Sequence, residues 1–406
     1  MTQAQTAAPT GDFYFNPWDE KFRANPYPHY RPLYSGPPRT LDFGFKVVLA
    51  ARYADVQAIL MDHAAFSSVP PESPLFAEQQ ALFGDTANLL LSDPPVHTRL
   101  RRVISHDFTP RRIREFEPRI REIANRLLDA AARKGELEVM GGIATPLPVM
   151  AIAALLGVPG DRYEQFKHWS DLVIEMDNTP PGMPIPEESK RAFHELGEYF
   201  AGEIEKRRRS PGPDLISALV AAHDEAEALS ADELLRFVIL LLLAGNETTT
   251  NLIGNGMLAL GRNPGAIAAL RANPALLKGA IEEMLRYDGP VQSTFRTATR
   301  DTVVGGMPVS AGTGAFAILA AANRDPARFK DPDTFDIARE PSDHLAFGDG
   351  IHFCIGAPLA RLEGAVAIGA MLERFPTLRL ENPGAPLTYK GSYFLRGLAR
   401  LDMSIQ

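Results

Sequence analysis

The residues that could do chemistry gather around one sulfur. The chain has a single cysteine, Cys354, among 406 residues. One thiol excludes an internal disulfide and any multi-cysteine zinc or iron–sulfur site. A lone cysteine is by default a small buried hydrophobe, so its neighbours must argue for more. The run Phe347-Gly348-Asp349-Gly350-Ile351-His352-Phe353-Cys354-Ile355-Gly356 places three glycines in a tight loop, which lets backbone approach something flat or bulky. Pro358 suits the first turn of a helix. Cys354 therefore precedes a helix amino terminus, whose partial positive charge favours a thiolate, and a thiolate is a metal ligand or nucleophile.

Three further groups have spacing that matters. Leu243-Ala244-Gly245-Asn246-Glu247-Thr248-Thr249-Thr250 puts a carboxyl and three hydroxyls in the middle of an apolar helix. The Thr248 hydroxyl can bond the Ala244 carbonyl four residues back, and a carboxyl beside it can move protons. A simple polar face is the alternative. Glu283 and Arg286 stand three apart, but on a helical wheel Leu277, Ile281 and Met284 are the apolar face and Glu283 falls away from Ile281. Periodicity alone reads that pair as a solvated salt bridge. His97 and Arg101 lie at i and i+4 and can face the same way.

The elements that must position these groups are mostly helices. Ser230 with Glu233 makes a capping box, and helical pattern runs to Arg262, where Asn263-Pro264 stops it. At about 1.5 Å per residue that helix is close to ~50 Å long. Residues 111–134 read as one helix, with Ile113, Phe116, Ile120, Ile123 and Leu127 at helical spacing. Another helix opens at Asn273-Pro274 and ends near Asp288-Gly289. Residues 45–53 read as strand and 54–61 as a short helix, while 66–92 and 177–187 are proline-bearing loops. Residues 302–304, Gly305-Gly306 and 307–309 read as a hairpin, and 395–405 as strand. Residues 1–12 read as a disordered tail. No period of 20 to 50 residues repeats.

Composition sets the outer limits. Hydrophobic residues make up 45% and charged residues 23%, ordinary for a globular chain. A net charge of -8 argues against a nucleic-acid binder. No basic-then-apolar leader pattern opens the chain. The longest apolar run, 237–245, falls short of the roughly 18 to 20 residues of a membrane span. A soluble, cytoplasmic protein is expected.

The Cys354 run resembles the haem-binding signature of the cytochrome P450 family at each defining position: Phe347, Gly348 and Gly350, a basic His352 two before the cysteine, and Gly356 two after. With the other motifs in the family's order, the resemblance extends from about Asn16 to the end. It implies a mainly α cytochrome P450 fold of about a dozen helices with small β-sheets, as a single domain over 13–406. It implies haem b with Cys354 as the axial iron ligand, and haem contacts from Ala244, Phe347 and Gly356. His97, Arg101, Arg296 and His352 match positions that hold the propionates. Glu283 and Arg286 would be buried behind the haem and joined by Arg339 from a meander. Glu247 and Thr248 match the acid–alcohol pair that guides protons to dioxygen.

The implied reaction inserts one atom of O2 into a C–H or double bond of an organic substrate. By family position the pocket draws on Leu89, Leu90, Leu240, Ala244, Val291, Gln292, Phe295, Ser392, Tyr393 and Phe394, an apolar set with few polar anchors. The chain has no flavin or nicotinamide fingerprint and no iron–sulfur cysteines, so electrons must come from another protein. The resemblance favours a ferredoxin with its reductase. Arg99, Arg101, Arg102, Arg111, Arg112, Arg114, Arg119 and Arg121 crowd one stretch that holds only Asp107, Glu115 and Glu117 as acids. Such a patch suits an acidic partner, with a solvated face as the alternative. A monomer is expected. Two rival readings are a peroxide user or isomerase, which needs no electron donor, and a silent haem-binding protein, which oxidises nothing.

Overall fold

The computed structural model describes residues 13–42, 45–70, 82, 86–159, 162–176, 179, 183–226, 229–340, 343–390, 392 and 394–405. The expected tail at 1–12 and Tyr393 lie outside the described residues.

Helices dominate, and the longest organises the rest. Ala231–Arg262 opens on Ser230, whose hydroxyl accepts from the Glu233 amide at 3.1 Å while the Glu233 carboxylate accepts from the Ser230 amide at 2.8 Å. Such a cap contributes about 1 kcal/mol. The helix ends at Asn263, because Pro264 starts the next helix, Pro264–Ala272. From Thr249 to Leu260 every residue is buried, the pattern of a helix enclosed on all sides. Around it pack Pro146–Leu156, Glu187–Arg209, Leu277–Asp288 and Ala357–Arg374. Among the described residues this is the one helix long and apolar enough to cross a membrane, with a mean hydropathy of 1.3 over its best window. Yet 72% of that window is buried inside the protein.

A five-stranded sheet flanks the helical body, in the order Arg39–Asp42, Lys46–Ala50, Gly314–Ala317, Thr294–Ala298, Phe66–Ser67. Lys46–Ala50 and Gly314–Ala317 run parallel and the other neighbours antiparallel. Side chains alternate between its faces. Val48, Ala50, Ala298, Ala315 and Ala317 join one apolar cluster; Val47, Leu49 and Phe316 join another with Phe295 against it. Arg296 pairs with Ala315 across the ladder and Phe295 with Phe316, so those two neighbours point to opposite sides. The Thr302–Val304/Met307–Val309 hairpin turns through Gly305 and Gly306 at φ 54° and 84°, a turn that only residues tolerant of positive φ can make.

Two elements differ from the sequence reading. Residues 111–134 are two helices, Pro110–Glu115 and Glu117–Lys134, broken at Phe116. Pro118 explains the break: it has no N–H to donate, and in a continuous helix its ring would meet the Arg114 carbonyl. Residues 395–405 form two short strands. Gly397–Leu398 pairs with Tyr389–Lys390, and Asp402–Ser404 lies between Leu137–Glu138 and Arg379–Leu380. One segment therefore serves two sheets and must bend between them.

Candidate active site

Cys354 lies between a single 3-10 turn, Gly350–His352, and the helix Ala357–Arg374 with Pro358 in its first turn. Backbone bonds fix this loop. The Cys354 amide donates to the Phe347 carbonyl at 2.9 Å, and the Gly348 amide to Leu345 at 2.9 Å. Gly350 is held at φ 66°, and a β-carbon there would stand 2.6 Å from the Leu60 carbonyl oxygen. Glycine is the residue that fits. Burial pushes the Cys354 thiol up; the Gly356 amide, the Arg101 guanidinium, the Ala357 amide and Arg361 all act against that rise.

Beside the loop, four basic groups converge. The His97 and His352 rings stand 4.2 Å apart, and His352 Nε2 lies 2.9 Å from the Ser68 hydroxyl. Arg101 donates to the Phe353 carbonyl at 2.7 Å. Arg296 donates to the Phe295 carbonyl at 2.7 Å and the Thr294 hydroxyl at 3.1 Å. Among the described residues no carboxylate forms an ion pair with Arg101 or Arg296. Burial holds Arg296 down to about 10. Burial, Arg296 and His97 together hold His352 down to about 3. Burial and then Arg101 lower His97, and its Nε2 is buried without a partner. With both histidines shifted toward their neutral forms, the buried positive charge rests on Arg101 and Arg296; Asp93 offsets part of that on Arg296 electrostatically, and an anion joining the two guanidiniums would offset the rest.

Behind the loop sits an ion-pair network. Arg286, 1% exposed, sends Nε and Nη2 to the two Glu283 oxygens at 2.7 and 2.8 Å. Its remaining N–H groups reach the carbonyls of Asn323, Pro332 and Thr334. Arg339 adds a bond to Glu283 at 3.2 Å, and the Asp336 amide another at 2.8 Å. Asn323 in turn accepts from the Leu345 amide at 2.6 Å, so the network reaches the cysteine loop. Glu283 is 2% exposed. The surface reading from periodicity is overturned, because the meander covers the side of the helix that the wheel leaves polar. Neighbouring Glu282, which sequence reasoning missed, accepts from His344 and from Arg361. Burial opposes ionisation there, but those two partners pull Glu282 down to about 2.

On the long helix the Thr248 hydroxyl donates to the Ala244 carbonyl at 2.8 Å. Glu247 is buried and accepts from Asn251 Nδ2 at 3.4 Å. Leu240, Ala244 and Thr248 recur every four residues and remain accessible, although the helix around them is largely buried. They leave one edge of the core helix uncovered.

Known proteins share this arrangement. The cytochrome P450 family model matches residues 163–397. Cytochrome P450 monooxygenase PikC of Streptomyces venezuelae is 42% identical over 392 residues, 95% of this chain and 92% of that protein. The myxobacterial cytochrome P450 CYP267B1, solved with myristic acid, superposes with a TM-score of 0.88 at 35% identity, covering 96% of this chain and 98% of that one. CYP109E1 of Bacillus megaterium, solved with testosterone, gives 0.86 at 34% identity, covering 96% and 100%. The chain belongs to the cytochrome P450 family. It is a P450 monooxygenase with the P450 fold expected from its motifs. The family carries haem iron and works with substrate, dioxygen and a redox partner.

This P450's residues fit a haem. The cluster of His97, Arg101, Arg296 and His352, whose two guanidiniums form no ion pair among the described residues, suits two propionates, and the orphaned His97 Nε2 is a ready partner for one. A thiol before a helix amino terminus suits an iron. The expected substrate residues are less united. Leu89 is 5% exposed and joins the main core, but Leu90 is 52% exposed. Asn88 caps the amides of both Leu90 and Leu91, and this turn sends Leu90 outward. Phe295 is also misplaced, since it packs edge-on against Phe45 and Phe316 on the sheet face away from Arg296. Gln292 is buried, its amide donating to the Gly289 carbonyl at 2.8 Å and its backbone to Phe394 at 2.7 Å. Leu240, Val291 and Phe394 are partly accessible.

One buried acid escaped the sequence reading altogether. Glu363, on the helix after Cys354, is 1% exposed. Burial pushes its carboxyl well above the usual range, against a hydrogen bond from Thr249. The folded state therefore keeps a proton that the unfolded chain releases above about pH 4.3. Stability must fall as pH rises through that range. Glu363→Gln, which keeps a hydrogen-bonding amide, should melt higher than the parent at pH 8. The gap should shrink as pH falls toward 5. Melting curves of both holoproteins across that range check this, and a gap independent of pH would contradict a protonated Glu363.

Proposed function

We propose that this P450 is a ferredoxin-dependent haem-thiolate monooxygenase acting on a largely apolar organic substrate. The observation that carries the reading is Cys354 at a helix amino terminus beside His97, His352 and two guanidiniums, Arg101 and Arg296, that form no ion pair among the described residues. Haem b, when bound, supplies reductive activation of dioxygen so that one oxygen atom enters a C–H or double bond and the other leaves as water. The protein's part is to hold, orient and protonate. Cys354 would hold the iron, with the Gly356 and Ala357 amides steadying its negative charge. Arg101, Arg296, His97 and His352 would take the propionates, and Ala244, Phe347 and Gly356 would contact the haem. Thr248 spends its own proton on the Ala244 carbonyl, so its oxygen is an acceptor and can fix a water beside the reacting oxygen. Glu247 passes protons to that water.

Leu89, Leu240, Val291 and Phe394 line the pocket with no cation among them. Testosterone, found in one structural relative, is neutral and mostly hydrocarbon, whereas the myristic acid found in the other joins a hydrocarbon chain to a carboxyl. For electron supply, Arg102, Arg111, Arg112 and Arg114 are exposed, as is Phe353 in the cysteine loop. Arg99 instead faces Glu233 as a two-pronged pair, which removes it from the docking set. The protein works as a cytoplasmic monomer, one domain over 13–406.

A compound screen read by the haem spin-state change, followed by turnover with ferredoxin and reductase, tests the reading. Neutral apolar molecules should bind about tenfold or more tightly than their carboxylate analogues, since an unpaired carboxylate costs several kcal/mol to desolvate. Conversion should need both redox proteins and weaken as salt rises. Turnover with peroxide alone, or tighter binding of the acids, would contradict it.

A further inference from the structure

Gln292 and Ser392, two of the residues expected to meet substrate, line a different space. A short ladder sets the direction of Gln292. Val291 bridges Leu395, the Gln292 backbone N–H donates to the Phe394 carbonyl at 2.7 Å, and the Arg396 backbone N–H donates to the Pro290 carbonyl at 2.8 Å. Neighbouring residues along such a pair point to opposite sides. Val291 packs against the apolar cluster that holds Val48 and Ala315. Gln292 and Ser392 instead line a cavity with Phe22 and Ile318, which belong to the cluster on the other face of the sheet.

Arg23 joins them in that lining. It comes from the short amino-terminal helix Glu20–Ala24, and Arg396 donates to its carbonyl. The space measures about 20 Å³, room for one water. Among the described residues, Arg23 Nε, Gln292 Oε1 and Ser392 Oγ are each buried without a partner. Gln292 Nε2 donates to the Gly289 carbonyl at 2.8 Å, which leaves Oε1 as the unsatisfied end of that amide. Ser392 is 0% and Gln292 7% exposed, so bulk solvent does not serve them. The three chemistries match one water: a donor in Arg23, an acceptor in Gln292, and a hydroxyl that can be either. Buried polar groups nearly always have a partner, and ordered water serves where protein does not.

We propose that Arg23, Gln292 and Ser392 together hold one buried water, which fixes the wall of the substrate pocket from behind. The claim rests on the haem-pocket reading above. It makes all three specificity-determining positioning residues that touch no substrate themselves. Val291 and Phe394 stand on the same ladder as Gln292, so any shift of that ladder carries them with it. The amino-terminal helix, far away along the chain, thereby helps to set what the pocket accepts.

Two measurements on the holoprotein test this. A high-resolution crystal structure should show one ordered water within hydrogen-bond distance of all three atoms. Titrations with imidazole and with phenylimidazole, followed by the haem absorption, test its effect on the pocket. Imidazole can reach the iron without filling the pocket, whereas the phenyl ring must meet its wall. Arg23→Met keeps the apolar stem but loses the donor. It should bind phenylimidazole roughly fivefold more weakly, the scale of one lost hydrogen bond, with imidazole affinity unchanged. Ser392→Ala should move phenylimidazole in the same direction, and it carries the test if Arg23→Met fails to hold haem. A dry cavity, parental affinity for both compounds in a haem-loaded variant, or an equal loss of both would overturn the proposal. The parent titrated in parallel keeps the claims apart. If it binds imidazole while the variants match it throughout, only the water-held wall falls; a parent that responds to neither compound would sink the haem reading as well.

Discussion

Thr248→Ala is expected to keep its haem and bind substrate normally while most electrons end in hydrogen peroxide or water. Productive use of dioxygen needs two protons placed on one particular oxygen. The Thr248 hydroxyl already donates to the Ala244 carbonyl, so it can hold a water there only as an acceptor. Alanine removes the acceptor but leaves the helix, since the lost bond competes with the helical ladder rather than building it. Thr248→Ser should stay near the parent. Glu247→Gln should slow the whole cycle by about a hundredfold, the scale of losing a general acid–base group, because the amide cannot exchange a proton. Product formed per electron donor consumed, in all three variants with one verified substrate, is the measurement. Parental coupling in Thr248→Ala would make the pair a bystander.

Glu283→Gln should have the largest effect on the protein itself. It leaves the Arg286 guanidinium, 1% exposed, without its carboxylate and removes the charge that also holds Arg339. Breaking one side of a buried pair costs about 3 to 5 kcal/mol, a large share of a typical stability of about 5 to 15 kcal/mol. The loss should appear at the cysteine loop, since Arg286 holds the Asn323 carbonyl and Asn323 holds the Leu345 amide. The variant should purify with little haem and unfold at lower urea than the parent. Parental haem content and stability would show that the network does not support the loop.

What could be read beforehand follows from how local each rule is. The Ser230 cap, the Gly305-Gly306 turn and the Cys354 loop were legible because glycine, proline and capping residues act within a few positions of themselves. The break at Phe116 was legible too, through Pro118, but the apolar spacing on either side masked it. Glu283 was not. A wheel places a residue on its own helix and says nothing of a meander some fifty residues later that folds over it. Phe295 and Leu90 failed for a related reason: matching a family position identifies a segment, whereas strand alternation and an Asx turn decide which way its side chains point. Glu363, Asn251 and Asn255 look like surface positions on apolar helices until the neighbouring helices and strands are in place.

The central claim is that Cys354 is the iron ligand, and the ferrous–CO spectrum tests it most directly. The parent protein, reduced under CO, should show the red-shifted absorption of a thiolate-ligated haem. Cys354→His should bind haem in the same basic cradle but lose that band, because the chain has no second cysteine to take over. A band retained in Cys354→His, or absent from freshly prepared parent, would contradict the assignment.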